Sequence, residues 1–310
     1  MDITTKFSDK VKHLEASSIR EIFKLLAKPG IISFAGGAPD PNLFPRKKFA
    51  EIAKEILETE GNTALQYGIT EGYAPLREWT KKRLLNQGIL KEEDDVIIVS
   101  GGQQGIDLCS KSLINPGDGV VCEEPSFIGG LNCFRSYNAE LFGVPVESDG
   151  LDTDKLEELL KEHKNIKLLY TISTFQNPSG ITISLEKRKK ILELAEKYDI
   201  LVYEDNPYGE LRFSGEEIPT LKSLDKTGRV IYFGSFSKIL APGMRLGFTS
   251  APAELLERMI ICKQVQDVHT AVLPQMMAYE FVTRYSIDEH IAKISKVYGE
   301  KCNYMMDLMD

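Results

Sequence analysis

The stretch DVIIVSGGQQGIDLCSKSLI, residues 95–114, sets the class of the fold. Residues 95–100 form an apolar run rich in β-branched side chains, which predicts a buried strand. Glycines then mark a tight turn, and the apolar residues after it recur three and four positions apart, which predicts a helix. A strand, a turn and a helix in this order form the repeating unit of α/β proteins.

The same pattern returns along the chain. An amphipathic helical segment begins at the capping residue Ser184 and continues to Tyr198. Polar and charged side chains follow the predicted strands, at the edge where open α/β sheets bind ligands. We therefore predict an α/β fold with a mostly parallel central sheet. Its further strands are predicted at residues 119–127, 166–171, 200–208, 230–234 and 246–252.

Composition excludes several classes of protein. The 310 residues include 46 acidic and 38 basic side chains, a net charge of −8, so nucleic acid is not an expected partner. No apolar run is long enough to cross a bilayer, and the N-terminus lacks the apolar segment of a signal peptide. The five cysteines are scattered and the four histidines dispersed, which predicts no disulfide framework, no metal site and a cytoplasmic location.

Lys238 lies in the segment SFSKILAPGMRLG, residues 235–247. The hydroxyl side chains of Ser235 and Ser237 precede it, and Arg245 follows. A single lysine after a strand is usually a solvated surface residue. These neighbours, however, favour an amine with a lowered pKa and a phosphate group held beside it.

This segment closely resembles the cofactor-lysine motif of the class I aminotransferases, which use pyridoxal 5′-phosphate (PLP). Further segments match that family in its order: ALQY at 64–67, SGGQQG at 100–105, EEPSF at 123–127, QNPSG at 176–180 and EDNPY at 204–208. ISFAGGAPDPNLFP, residues 32–45, resembles the aminoadipate and kynurenine aminotransferase branch. The resemblance implies PLP-dependent fold type I, with helices on both faces of the sheet. It also implies amino transfer between an L-amino acid and a 2-oxo acid, with glutamate and 2-oxoglutarate as one expected pair.

The resemblance also implies roles for single residues. Lys238 forms the Schiff base with PLP and moves a proton during catalysis. Asp205 pairs with the pyridine nitrogen, while Asn177 and Tyr208 hydrogen-bond the phenolic oxygen. Without the resemblance, Asp205 is an ordinary carboxylate at a strand end, and residues 177–180 are only a good turn.

The cofactor's phosphate and ring have implied partners as well. Phe127 stacks on the ring, and Tyr67 reaches the phosphate of a neighbouring subunit, which implies a homodimer. Core packing is the commoner role of both aromatic side chains. The implied phosphate contacts are the backbone of Gly102, Gln103 and Gln104 and the side chains of Ser235, Ser237 and Arg245.

Substrate recognition is implied at Gly37, whose backbone matches a carboxylate contact, at Arg20, which matches a mobile arginine, and at Asn177. A turn glycine and a cation on a helix face are the structural alternatives for Gly37 and Arg20.

Other PLP reactions, such as C–S β-elimination, remain open because fold and cofactor do not fix which bond is cleaved. A transcriptional regulator with an aminotransferase-like domain would need a basic DNA-binding module in front.

The resemblance divides the chain into three parts. Residues 1–45 form an N-terminal arm and small-domain segment, residues 46–285 the large PLP-binding domain, and residues 286–310 the start of a C-terminal small domain. Family members carry there an arginine that grips the substrate's carboxylate. The final helical pattern has no stop signal. We therefore expect a fragment of a longer enzyme, the alternative being a truncated product that binds PLP without efficient turnover.

Overall fold

The computed structural model describes residues 2–8, 11, 30 and 37–309. Its strands are β1 (Asp94–Val99), β2 (Gly119–Glu124), β3 (Glu140–Glu147), β4 (Gly150–Leu151), β5 (Ile166–Thr171), β6 (Leu201–Asp205), β7 (Val230–Ser235) and β8 (Gly247–Pro252). Its α-helices are α1 (Arg46–Thr59), α2 (Gly61–Ala64), α3 (Ala74–Asn86), α4 (Gly102–Leu113), α5 (Ile128–Ser136), α6 (Thr153–Glu162), α7 (Leu185–Tyr198), α8 (Leu221–Leu224), α9 (Ala253–Gln264), α10 (Val272–Arg284) and α11 (Ile287–Asp307). Short 3₁₀ turns lie at Ile3–Lys6, Pro41–Leu43, Gly209–Leu211 and Pro242–Met244.

The strands form one sheet in the order β1-β8-β7-β6-β5-β2-β3-β4. Strands β3, β2, β5, β6 and β7 pair in parallel. Strand β8 is antiparallel to both β1 and β7, and the short β4 is antiparallel to β3. The predicted α/β fold with a mostly parallel sheet is confirmed. Strand β8 reverses because no helix lies between it and β7, and a parallel neighbour needs a long crossover connection.

Helices cover both faces of this sheet. On β1, Val96 and Ile98 belong to one apolar cluster, while Ile97 and Val99 belong to another on the opposite face. All four side chains are fully buried. This burial explains why the strand is a continuous apolar run rather than an alternating one. The predicted helix after Ser184 is α7, and the Ser184 hydroxyl accepts a hydrogen bond from the Lys187 backbone N–H as its N-cap.

The fold brings the carboxyl ends of neighbouring strands to one edge. Asp205 is the last residue of β6 and Ser235 the last of β7, and these two strands run in parallel. Strand β1 ends two residues before Gly101, the N-cap of α4. Residues with predicted chemical roles therefore gather at this edge. Among the helices of the described ranges, none has the length and apolar content needed to cross a membrane.

Candidate active site

Lys238 lies in the connection between β7 and β8 and is half-buried. Its Nζ donates a hydrogen bond of 3.2 Å to the carbonyl oxygen of Gly37 and lies 5.5 Å from the centroid of the Tyr208 ring. Burial lowers the pKa of the Lys238 amine, and the positive charge of Arg245 lowers it further. The neutral amine is the form that can act as a nucleophile or a base, so the surroundings favour a reactive lysine.

Asp205 is a buried carboxylate whose two oxygens have different surroundings. Its Oδ2 accepts a hydrogen bond of 2.7 Å from the Tyr170 hydroxyl, whereas Oδ1 is buried and has no hydrogen-bond partner within residues 37–309. Burial raises the pKa of Asp205 to about 6, and the hydrogen bond from Tyr170 opposes that rise. Leaving a buried carboxylate oxygen unpaired is costly. Oδ1 therefore fits a ligand that brings a positively charged N–H donor.

Asn177 and Tyr208 follow β5 and β6 and come together beside Asp205. Burial raises the pKa of the Tyr208 hydroxyl, the charge of Asp205 raises it further, and a side-chain hydrogen bond with Asn177 lowers it. Sequence reasoning predicted this pair as two contacts to one oxygen atom. In the structure, Asn177 and Asp205 both act on the Tyr208 hydroxyl, and the Tyr208 ring is the one that Lys238 contacts.

The glycine turn before α4 packs against Arg245. Gly101 has a φ of +81°, and a Cβ atom built on it would lie 2.3 Å from Arg245 Nη2. The same Nη2 donates to the Ser100 carbonyl at 3.3 Å. Helix α4 has no side-chain N-cap hydrogen bond, and the first N–H groups of a helix have no partner within it. These N–H groups and an adjacent guanidinium are the parts from which phosphate sites are built.

Gln104 supports this turn rather than offering it a free donor. Its backbone N–H donates to the Gly101 carbonyl at 3.1 Å. Its side-chain Oε1 accepts hydrogen bonds from the Ser100 backbone N–H and from Lys263, and its Nε2 donates to Asp267. The polar groups of Gln104 are thus engaged inside the protein. This geometry does not fit a direct phosphate contact and leaves Gly102 and Gln103 as the candidates on α4.

The remaining predicted cofactor contacts lie on the loops around this turn. The Ser235 hydroxyl accepts a hydrogen bond of 3.0 Å from the backbone N–H of Ser237. The Gln103 side chain donates at 2.9 Å to the carbonyl oxygen of Gly129, and a Cβ built on Gly129 would lie 2.5 Å from the Phe127 ring. Phe127 is half-buried directly before α5. The loops after β2 and β7 therefore flank the glycine turn.

Three other predicted residues do not lie on these loops. Tyr67 is 82% exposed, and its ring meets that of His269 edge-on at 5.9 Å. Gly37 is exposed and contributes its carbonyl oxygen to Lys238. Arg20 lies outside the described residues.

Sequence reasoning missed several residues of the site. Tyr170 lies in the apolar run of β5, where its only signal is a hydroxyl-bearing side chain on a buried strand. Ser126, next to Phe127, has a buried Oγ without a hydrogen-bond partner in the part of the chain described. Lys263 and Asp267, which hold Gln104, belong to no motif that the sequence displays.

A desolvated lysine, a buried carboxylate with a free oxygen, and an arginine at a helix N-terminus define a site for an anionic, carbonyl-bearing cofactor. Residues 31–290 match the family model described as "Aminotransferase class I and II". The chain therefore belongs to the class I and II aminotransferases, as the sequence predicted.

Individual relatives agree with this assignment. An aromatic-amino-acid aminotransferase of Thermococcus litoralis is 42% identical over 318 residues, which cover 100% of this chain and 76% of the relative. The 2-aminoadipate transaminase of Thermus thermophilus is 40% identical, with 98% of this chain and 76% of the relative covered. The crystal structure of Pyrococcus horikoshii kynurenine aminotransferase with PMP superposes with a TM-score of 0.94 at 42% identity, covering 99% and 77% of the two chains. The predicted aminoadipate and kynurenine branch is confirmed.

Proposed function

We propose that this aminotransferase moves an amino group between an L-amino acid and a 2-oxo acid, with the reaction centred on Lys238. The observation that carries the proposal is the pairing of a half-buried lysine of lowered pKa with the free, buried Oδ1 of Asp205 at one edge of the sheet. The cofactor, PLP, supplies an aldehyde that accepts the amino group and a protonated ring that withdraws electrons from the substrate's Cα.

Lys238 has two tasks in this proposal. Its amine holds the cofactor covalently before the substrate enters, and its Nζ afterwards takes the proton from the substrate's Cα. Both tasks require the neutral amine, which burial and the neighbouring Arg245 favour. The hydrogen bond from Nζ to the Gly37 carbonyl holds the amine in place.

Asp205 keeps the ring nitrogen protonated. An unpaired carboxylate oxygen in a buried site stabilises a positively charged donor strongly because water does not screen the pair. Tyr170 holds the other oxygen and so fixes the plane of the carboxylate. Asn177 and Tyr208 bind the phenolic oxygen of the ring.

The phosphate is held by the glycine turn. The N–H groups of Gly102 and Gln103 at the start of α4 donate to its oxygens, Arg245 adds a forked, charged contact, and Ser235 and Ser237 contribute hydroxyl groups. Phe127, half-buried beside the turn, stacks on the ring. The position of the Gly101 backbone against Arg245 supports this arrangement, because no side chain fits between them.

The substrate carries a carboxylate, for which Gly37, Arg20 and Asn177 are the proposed contacts. Gly37 lies next to Lys238 through its carbonyl oxygen, which places it beside the reacting amine. Aromatic amino acids, 2-aminoadipate and kynurenine are the proposed donors, since relatives of high similarity carry these names. Glutamate and 2-oxoglutarate form the proposed second pair.

A homodimer completes the site in this proposal. Tyr67 is exposed, as are the apolar side chains of Leu65 and Ile69 beside it in sequence. Its ring contacts His269, and the preceding residue Val268 is also exposed. Exposed apolar clusters of this kind mark protein interfaces. Tyr67→Phe should raise the PLP dissociation constant and leave the dimer intact. A monomer with full PLP affinity in sedimentation and titration experiments would contradict this part of the proposal.

The three-part division of the chain is also proposed. Helix α1 begins at Arg46, directly after the first boundary, and Ser286 caps α11 directly after the second. Limited proteolysis should cut near residues 45 and 285 if residues 1–45 and 286–310 belong to a domain separate from 46–285. Cuts confined to the interior of the central part would contradict the division.

A cytoplasmic location is proposed on the state of the cysteines. Cys109, Cys122 and Cys133 are buried free thiols, which is typical of proteins in a reducing compartment. Cell fractionation that finds the protein elsewhere would contradict the location.

The proposed reaction is tested with the holoenzyme in single-turnover half-reactions. L-2-aminoadipate, L-phenylalanine or L-kynurenine should convert bound PLP to pyridoxamine 5′-phosphate, and 2-oxoglutarate should restore PLP. A β-eliminating enzyme would instead release pyruvate and ammonia from an S-substituted cysteine without accumulating the pyridoxamine form. That result, or no conversion with any donor, would contradict amino transfer.

A further inference from the structure

A charged cluster built on a fully buried lysine lies behind the glycine turn. Lys263, near the end of α9, is fully buried, and its Nζ donates hydrogen bonds to the Asp267 carboxylate at 2.8 and 2.9 Å. The same Nζ donates to Gln104 Oε1 at 2.8 Å. None of these three side chains has a chemical role in the reaction proposed above.

The cluster is hydrogen-bonded to the glycine turn through Ser100. Asp267 Oδ2 accepts a hydrogen bond of 3.0 Å from the Ser100 hydroxyl and one of 2.7 Å from Gln104 Nε2. Gln104 Oε1 accepts the Ser100 backbone N–H at 2.8 Å. On its other side, the Ser100 carbonyl accepts a hydrogen bond from Arg245. Ser100 therefore links this charged cluster to the arginine beside Gly101.

Burying a lysine in this way is costly. Burial lowers the pKa of Lys263, and the Asp267 carboxylate opposes that change. Buried ion pairs contribute little net stability compared with apolar packing, but removing one partner leaves the other charge uncompensated. A fully satisfied polar network does hold its members in one geometry. The geometry held here is that of the turn and of Arg245.

We propose that Lys263 and Asp267 are positioning residues for the cofactor's phosphate. They fix Ser100, and through it the turn at Gly101 and the guanidinium of Arg245, so that the phosphate meets preformed donors. This inference rests on the proposed function, since it concerns the phosphate end of the same site.

The test compares PLP with pyridoxal, which lacks the phosphate, in binding titrations of the apoenzyme. Lys263→Met should weaken PLP binding relative to pyridoxal by about tenfold or more, the loss expected when charge-assisted hydrogen bonds are misplaced. The matched control is Lys222→Met. Lys222 is equally buried and pairs with Asp94 at 2.8 Å, a residue at the start of β1. Its variant should leave the PLP-to-pyridoxal preference unchanged.

An unchanged preference in Lys263→Met would overturn the inference, as would an equal change in Lys222→Met. If Lys263→Met does not fold, Ser100→Ala serves instead, because it removes a single hydroxyl, the one that binds Asp267 and Thr270. It should lower the preference by about threefold, and no change would again overturn the inference. Failure of the proposed function is distinguishable, because wild-type protein would then not react with PLP at Lys238 at all.

Discussion

At the scale of single residues, Asp205 shows how neighbours set the chemistry of one carboxylate. Tyr170 stabilises one oxygen, while burial leaves the other in need of a charged donor. Burial raises the pKa of Asp205 and so disfavours the anion, whereas the hydrogen bond from Tyr170 lowers the pKa and favours the anion. The state of Asp205 therefore depends on whether its hydrogen-bond partners are present.

Tyr170→Phe tests this balance. Loss of the hydroxyl should raise the pKa of Asp205 above the value of about 6 in the ligand-free protein, by about one unit. Below its pKa the carboxyl group is protonated and no longer attracts a protonated ring nitrogen. As the pH is lowered from about 8 to about 5, PLP affinity should therefore begin to fall at a higher pH in the variant than in the wild-type protein.

The matched control is Tyr203→Phe. Tyr203 is a buried tyrosine on the neighbouring strand, with its ring 5.9 Å from that of Tyr170. The control loses a buried hydroxyl without losing the hydrogen bond to Asp205, so its pH profile should match that of wild type. Identical pH profiles for the wild-type protein and both variants would show that Tyr170 does not influence the pKa of Asp205.

At the scale of elements, the turn between β1 and α4 combines a backbone requirement with a close approach. Gly101 needs a positive φ, and its missing side chain makes room for Arg245. The turn thus depends both on a local conformation and on a side chain from the distant loop before β8.

Gly101→Ala should separate these two effects when it is compared with Gly117→Ala. Gly117 has a similar φ of +86°, but a Cβ there meets no atom of the described residues within 4 Å. Both variants should lose unfolding free energy through backbone strain, on the order of 1–3 kcal/mol, and Gly101→Ala should lose more because its Cβ also collides with Arg245. Only Gly101→Ala should also weaken PLP binding, by about tenfold or more, because it displaces Arg245. Equal PLP affinities in the two variants would contradict the role of the close approach.

The sequence predicts this element well and its partners poorly. The apolar run, the glycines and the helical spacing of residues 95–114 give β1, the turn and α4, because those signals are local. The partners of Gln104 and Asp205 are not local. Lys263 meets Gln104 across 159 positions, and Tyr170 meets Asp205 across 35. No spacing rule connects such residues, so Tyr170 and Lys263 emerge only from the folded chain.

The direction of β8 is a similar case. Its residues are as buried as those of the neighbouring parallel strand β7, so burial does not distinguish the two directions. The short connection that carries Lys238 decides it, since the chain turns back without a crossover helix. The same connection therefore both reverses the strand and places the lysine at the edge of the sheet.

At the scale of the whole molecule, the site exists only because distant segments meet at one edge. The Lys238 amine contacts Gly37 across 201 positions, and Arg245 contacts Ser100 across 145. A family assignment based on local motifs names most of these residues. The fold explains why they work together, because parallel strands β5, β6 and β7 deliver their loops to the same place.

Borohydride reduction of the holoenzyme, followed by proteolysis and mass spectrometry, shows directly which lysine holds PLP. The mass of reduced PLP should appear on the peptide that contains Lys238 and be lost in Lys238→Ala. Lys226→Ala, which changes an exposed lysine before β7, should keep the label on Lys238. Labelling of a different lysine in the wild-type protein, or undiminished labelling in Lys238→Ala, would contradict Lys238 as the residue that holds PLP.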